Sequence, residues 1–169
     1  ILDASAGPVA EGCVGAGTGT VCFGWKGGIG TSSRLLPSEC GGYTVGALVQ
    51  TNYGGVLQMF GVPIGAILGQ YYGQKWTQPP DTWQNENPSD RSNPDGSIMM
   101  IVATDAPLSD RNLARLARRT FAGLARTGAS MSDGSGDYAI AFSTHDDVRR
   151  TDERRAAVSM IPDLPNAHM

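Results

Sequence analysis

Several segments of the chain have the apolar and polar patterns of β-strands. In residues 1 to 34, short apolar segments such as 21 to 25 lie between glycines, which favours hairpins because glycine weakens a helix interior. In "YTVGALVQT", apolar residues at every second position predict a strand over residues 43 to 51 that is largely buried on both faces. The runs "SIMMIVAT" and "YAIAF" predict two further strands after residue 96.

One segment has the periodicity of an amphipathic helix. In "SDRNLARLARRTFAGLARTG", Ser109 or Asp110 can accept the free amide hydrogens that begin a helix, and Gly128 can end it. At 3.6 residues per turn, one face of this helix carries Leu113, Leu116, Ala117, Thr120 and Leu124. The order strand, helix, strand predicts an α/β fold in which a sheet packs on the helix.

A long polar segment separates the two halves of the chain. Residues 70 to 96 contain four prolines and many Asn, Asp, Gln and Ser residues with little periodicity. This composition predicts a long exposed loop or linker. Loops of this length inside a compact domain are generally functional, are processing sites or are disordered.

Composition and charge exclude several classes of function. A chain of 169 residues fits one domain with its own core, and a net charge of -3 gives no electrostatic basis for binding nucleic acid or an anionic membrane. The arginines of the helix are therefore interpreted as a solvated face. No run of 18 apolar residues is present, which indicates a soluble protein. The abrupt ends, Ile1 and "PNAHM", lead us to expect an internal piece of a longer protein.

The sequence has few of the residues and motifs that form metal sites, disulfide frameworks or phosphate-binding loops. Three cysteines occur without a C-x-x-C pair, which predicts reduced thiols. The only histidines are His145 and His168, so a histidine triad or a zinc site is poorly supplied. The glycines of "EGCVGAGTGTV" miss the dinucleotide fingerprint by one position and "WKGGIGTSSR" lacks the Gly-Lys-Ser/Thr ending, so we interpret both as turns that line a cleft.

Ser97 stands where turn-forming residues meet the strand "SIMMIVAT". In most proteins such a serine is only the boundary between a loop and a strand. It becomes a nucleophile without histidine if the bond between Gly96 and Ser97 is cut, because the new α-amine, with a reference pKa of about 8, lies beside its own hydroxyl. Gly96 would permit the unusual backbone geometry that such an attack requires. These residues alone leave both interpretations open.

Five segments together indicate a family. "EGCVGAGTGTVCFGWKGGIGTSSR", "YTVGALVQTNYG", "DGSIMMIVATDAPL", "LARLARRTFAGLARTG" and "GSGDYAIAFST" resemble the self-processing aminopeptidases, which include the L-aminopeptidase/D-amidase-esterases and the β-peptidyl aminopeptidases. The resemblance implies an αββα four-layer sandwich, of which this chain lacks an N-terminal part with a tyrosine near the active site and a C-terminal helix and strand. It also implies one domain cut between Gly96 and Ser97, with residues 1 to 96 in the α-subunit and residues 97 to 169 in the β-subunit.

The resemblance also implies a mechanism. Ser97 is the N-terminal nucleophile that forms an acyl-enzyme, and its α-amine is the base. Asn52 donates to the oxyanion, while Ser135 and Asp137 orient the nucleophile and its amine. The expected substrates are short peptides, amides or esters, and no cofactor or metal is expected. The α and β segments are expected to associate into a homo-oligomer of αβ units. The protein is expected to be soluble, and its compartment, bacterial cytoplasm or periplasm, is left open by the sequence.

Two alternatives stay open at this point. The ornithine acetyltransferases share the architecture and the self-processing but use threonine where this chain has Ser97. A non-catalytic binding or assembly module, in which "GAGTG" and "GGIG" only shape turns, would retain an uncut chain. Neither substrate preference nor biological role can be read from the sequence.

Overall fold

A four-stranded sheet with one long helix on it forms the centre of the structure, a computed structural model that describes residues 6–77, 96–149 and 151. A small hairpin, Val21–Cys22 (β1) and Trp25–Lys26 (β2), precedes the sheet. The sheet has the order β3-β4-β5-β6, with Gly28–Leu35 as β3, Thr44–Asn52 as β4, Ser97–Thr104 as β5 and Tyr138–Ser143 as β6. The helices are Ile64–Ile67 (α1), Gln74–Thr77 (α2) and Asp110–Arg126 (α3).

The sheet is mixed, and its register brings distant parts of the chain together. β3, β4 and β5 pair antiparallel, whereas β5 and β6 pair parallel. A parallel pair needs a crossover connection, and α3 supplies it. Because β4 and β5 are in antiparallel register, Asn52 at the end of β4 lies opposite Ser97 at the start of β5. The predicted strands are thus present, with the first of the sheet's central strands shifted by one residue.

α3 begins and ends where its sequence predicts. The Ser109 hydroxyl accepts a hydrogen bond from the amide of Asn112 at 3.4 Å and so caps the first turn. The helix ends at Arg126, and Gly128 takes a left-handed conformation with φ of 86°, which costs glycine little. Leu116 and Leu124 are buried, and the arginines Arg115, Arg118 and Arg119 are exposed. The predicted apolar face therefore packs against the sheet.

The core lies between α3 and one face of the sheet. Ile98, Met100 and Val102 of β5 are buried on that side. In β6 the small residues Ala139 and Ala141 pack against the buried clusters, while Tyr138, Ile140 and Phe142 are 60%, 53% and 44% exposed on the opposite face. The strand predicted over residues 43 to 51 is half-buried on both faces, since every residue of β4 has intermediate exposure and none is exposed.

Most of the loop predicted from the sequence lies outside the residues that the structure describes. The predicted loop over residues 70 to 96 includes the short helix α2, and residues 78 to 95 lie outside the described part. Its interpretation as an exposed processing loop therefore stays a prediction. Among the helices of residues 6–77 and 96–149, none combines the length and the apolar character needed to cross a bilayer.

Candidate active site

Ser97 is the exposed first residue of β5, next to the turn that precedes β6. Alternation along β5 turns its side chain away from the buried Ile98, toward the face that carries Tyr138. The backbone amide of Gly136 donates to Ser97 Oγ at 3.3 Å. The Ser97 hydroxyl is thus exposed at the start of β5 and is positioned by a hydrogen bond from the Gly136 amide.

The carbonyl oxygen of Gly96, directly before Ser97, accepts two hydrogen bonds. Ser135 Oγ lies 2.9 Å from this oxygen, and the Gly136 amide nitrogen lies 3.2 Å from it. The single hydrogen of the Gly136 amide is shared between this oxygen and Ser97 Oγ. Two donors on one carbonyl oxygen draw electron density from the carbonyl carbon and would stabilise negative charge on the oxygen. The Gly96–Ser97 peptide therefore carries a polarised carbonyl beside a serine hydroxyl.

Ser135 links the Gly96 carbonyl to the side chain of Asp137. Ser135 Oγ lies 2.8 Å from Asp137 Oδ1 as well as near the Gly96 oxygen. The hydroxyl has one proton, so it is shared between these two acceptors. The carboxylate of Asp137 is thereby connected to the Gly96 carbonyl through a single side chain.

Gly96 fits against β4 only because it lacks a side chain. A methyl group on Gly96 would overlap the carbonyl oxygen of Asn52 and would lie 2.9 Å from the Cα of Tyr53. This contact with backbone atoms cannot be relieved by a side-chain rotation. Glycine at position 96 thus has a steric reason, in addition to the conformational freedom expected from the sequence.

Asn52 lies beside the same peptide, and its side-chain orientation is set by the β1 hairpin. Its Oδ1 accepts a hydrogen bond from the amide of Val21 at 3.1 Å. Because the oxygen is used in this way, the Nδ2 group on the other side of the amide is the donor that remains to the side chain. Asn52 is therefore close to Ser97 in the register of β4 and β5 and presents an amide with a defined orientation.

Two ionisable side chains near Asn52, those of Tyr53 and Cys22, stay uncharged at neutral pH. Burial raises the pKa of Tyr53 to about 12, and the nearby charge of Asp137 acts in the same direction. Thr127 Oγ1 donates to the carbonyl of Leu124, so the Tyr53 hydroxyl, 3.3 Å away, is the donor to Thr127. Burial also raises the pKa of the Cys22 thiol, which makes Cys22 a poor nucleophile.

The four candidate residues Ser97, Asn52, Ser135 and Asp137 thus lie together, although they come from three segments of the chain. Sequence reasoning missed Gly136, whose contribution is a backbone amide. The only sequence signal for it is its place in the motif "GSGDY". His145 lies away from this group and receives a hydrogen bond from the amide of Asp147, and His168 is outside the described residues.

Similarity to known proteins shows which family this chain belongs to. A family model described as peptidase family S58 matches residues 1–168. The chain belongs to peptidase family S58. This confirms the resemblance to self-processing aminopeptidases that the sequence motifs indicated.

Named relatives and solved structures are similar to most of this chain. It is 45% identical, over 151 residues, to the beta-peptidyl aminopeptidase BapA of Sphingosinicella microcystinivorans, a match that covers 85% of this chain. It is 40% identical to a beta-aminopeptidase of Burkholderia sp., with a TM-score of 0.72 over 97% of this chain. It is 36% identical to the L-aminopeptidase D-Ala-esterase/amidase of Ochrobactrum anthropi, with a TM-score of 0.71 over 96% of this chain.

These matches also define how much of the family fold is present. The Ochrobactrum protein is described as a variant of the Ntn hydrolase fold, which confirms the predicted fold class, an αββα sandwich represented here in part. The chain spans 36% of the BapA relative, 42% of the Burkholderia structure and 40% of the Ochrobactrum structure. Among the described residues, no group of three or more His, Cys, Asp or Glu side chains is arranged to hold a metal ion.

Proposed function

We propose that this chain is part of a self-cleaving serine aminopeptidase or amidase with Ser97 as its N-terminal nucleophile. The observation that carries the proposal is the Gly96 carbonyl, which accepts from Ser135 Oγ and the Gly136 amide directly before an exposed serine. The family membership and the beta-peptidyl aminopeptidase relatives support the same activity.

We propose that self-cleavage proceeds in two steps. Ser97 Oγ adds to the carbonyl carbon of Gly96, and the oxyanion is stabilised by the Ser135 hydroxyl and the Gly136 amide. Collapse of the intermediate breaks the bond from Gly96 C to Ser97 N, the nitrogen takes the proton that the hydroxyl lost, and an ester joins Gly96 to Ser97 Oγ. Water then hydrolyses the ester and leaves a free carboxylate on Gly96 and a free α-amine on Ser97.

Ser97 Oγ is then also the nucleophile in the hydrolysis of substrates. The free α-amine of Ser97 takes the proton of its own hydroxyl, so the oxygen can attack the carbonyl of a bound amide or ester. Asn52 Nδ2 donates to the oxyanion, and Ser135 with Asp137 positions the nucleophile and its amine. The leaving amine takes the proton from the α-amine, and water releases the acyl group from Ser97 Oγ.

The substrates we propose are short peptides, amides or esters with a free N-terminal amine. The α segment, residues 1 to 96, and the β segment, residues 97 to 169, stay associated after cleavage, because β4 and β5 are adjacent strands of one sheet. Homo-oligomers of these αβ units are proposed by resemblance to the family. No part of the mechanism requires a metal ion or an organic cofactor.

Adding a methyl group at Gly136 is expected to slow both self-cleavage and hydrolysis by roughly 10- to 100-fold, because small displacements of a nucleophile have costs of this size. The methyl would lie 3.0 Å from Ser97 Oγ, so the hydroxyl must move. The measurement is the rate of chain cleavage and kcat of Gly136→Ala. Gly123→Ala is the matched control, since a methyl at Gly123 in α3 meets no atom within 4 Å. Equal rates in the two variants would contradict the role of Gly136.

Substrate blocking and chelation test the proposed function in the full-length protein. A peptide amide with a free N-terminus is expected to be hydrolysed, its N-acetylated form is expected to resist, and EDTA is expected to leave the rate unchanged. Loss of activity in EDTA, or equal hydrolysis of the acetylated form, would contradict the proposal. Transfer of acetyl from acetyl-ornithine to glutamate without hydrolysis would instead support the acyltransferase alternative.

A further inference from the structure

The ring of Tyr138 and the hydroxyl of Ser97 both border the small gap left by the missing side chain of Gly136. The point where a methyl on Gly136 would stand is 3.0 Å from Ser97 Oγ and 3.3 Å from Tyr138 Cε2. The third nearest atom, at 3.9 Å, is Ser97 Cβ. The gap is therefore bounded by the nucleophile and the aromatic ring, and it exists because residue 136 is glycine.

The strand register fixes the ring in this place. β5 and β6 are parallel with Met99 beside Tyr138, so Tyr138 stands on the same sheet face as Ser97 and Met99. The Gly136 amide donates hydrogen bonds to Ser97 Oγ and to the Gly96 carbonyl. These hydrogen bonds hold the start of β6 next to the start of β5. Tyr138 is the first residue of β6, at the end of the strand that adjoins Ser97, and it is 60% exposed in the described part of the chain.

We infer that Tyr138 is a specificity-determining residue that packs against the apolar side chain of the substrate's N-terminal residue. This inference rests on the proposed function. In the acyl-enzyme the N-terminal residue is bonded to Ser97 Oγ, whereas the leaving amine has departed. Any group esterified to that oxygen lies within reach of the Tyr138 ring, so the ring contacts the acyl residue. Aromatic rings provide large apolar contact areas for such a side chain.

The test compares two substrates in each preparation of the full-length enzyme. One amide has a large apolar N-terminal residue, such as a phenylalanyl or β-homophenylalanyl group, and the other has the matching glycyl or β-alanyl group. The ratio of kcat/KM for the large over the small substrate does not depend on the fraction of active enzyme. Tyr138→Ala is expected to lower this ratio by about tenfold, the lower range for loss of a hydrophobic pocket contact. Tyr138→Phe keeps the ring and is expected to keep the ratio.

Ile140→Ala is the matched control, because Ile140 is an exposed apolar residue on the same face of β6, two positions farther from Ser97. Its ratio is expected to equal that of the wild type. The inference is overturned if Tyr138→Ala keeps the wild-type ratio or if Ile140→Ala lowers it equally. If Tyr138→Ala gives no active enzyme, the ratio of Tyr138→Thr decides in the same way, because threonine suits a strand and removes the ring. Ser97→Ala separates the two claims, since hydrolysis that persists in Ser97→Ala contradicts the proposed function itself.

Discussion

Replacing Ser97 with alanine is expected to leave the full-length protein as one uncut polypeptide and to lower amide hydrolysis by about 10⁴-fold or more, as removal of a catalytic nucleophile does in other serine hydrolases. The physical reason is that Oγ is the atom that attacks Gly96 in self-cleavage and the substrate carbonyl in turnover. A denaturing gel and a steady-state amide assay measure the two effects.

Ser130→Ala is the control for the loss of a serine hydroxyl. Ser130 Oγ donates its hydrogen bond to the carbonyl of Gly54 rather than to the Gly96–Ser97 peptide. This variant is expected to be cut and active. If Ser97→Ala were cut and active as well, the assignment of the nucleophile would be wrong.

The second large effect is expected at Asn52. Replacing it with alanine should lower kcat by about 10²- to 10³-fold, the usual cost of removing one side-chain donor to an oxyanion. The same change removes the acceptor of the Val21 amide bond, so it should also lower the free energy of unfolding by about 1 kcal/mol.

Asn52→Asp separates these two consequences. Aspartate keeps an oxygen that can accept from the Val21 amide but has no Nδ2 donor. Its thermal stability should therefore stay close to that of the wild type, while its kcat falls as far as in Asn52→Ala. A variant Asn52→Asp that keeps wild-type kcat would contradict the oxyanion role of Asn52.

Local sequence patterns predict the elements of this fold because their causes are local. Ser109 caps α3 with its own hydroxyl, and Gly128 ends the helix through its left-handed backbone. The strand Ser97–Thr104 has the bounds that its apolar run predicts. The alternation of residues along β6 predicts the strand correctly, but it does not show which face of the strand packs against α3. The small residues Ala139 and Ala141 take that face, and the larger residues such as Tyr138 point away from it.

The assembly of the site depends on long-range register, which spacing in the sequence does not encode. Asn52 and Ser97 become neighbours through the antiparallel pairing of β4 and β5. Ser135 reaches the Gly96 carbonyl through the parallel pairing of β5 and β6 after the α3 crossover. The family motifs were needed to select these residues. The Gly136 amide was missed because a backbone donor has no residue type of its own.

The central claim is that the bond between Gly96 and Ser97 is broken in the active enzyme. Intact mass spectrometry of the purified full-length wild-type protein under denaturing conditions, with N-terminal sequencing, tests it most directly. We expect two polypeptides, one ending at Gly96 and one beginning with Ser97 and its free amine. A single uncut polypeptide in a preparation that hydrolyses amides would contradict it.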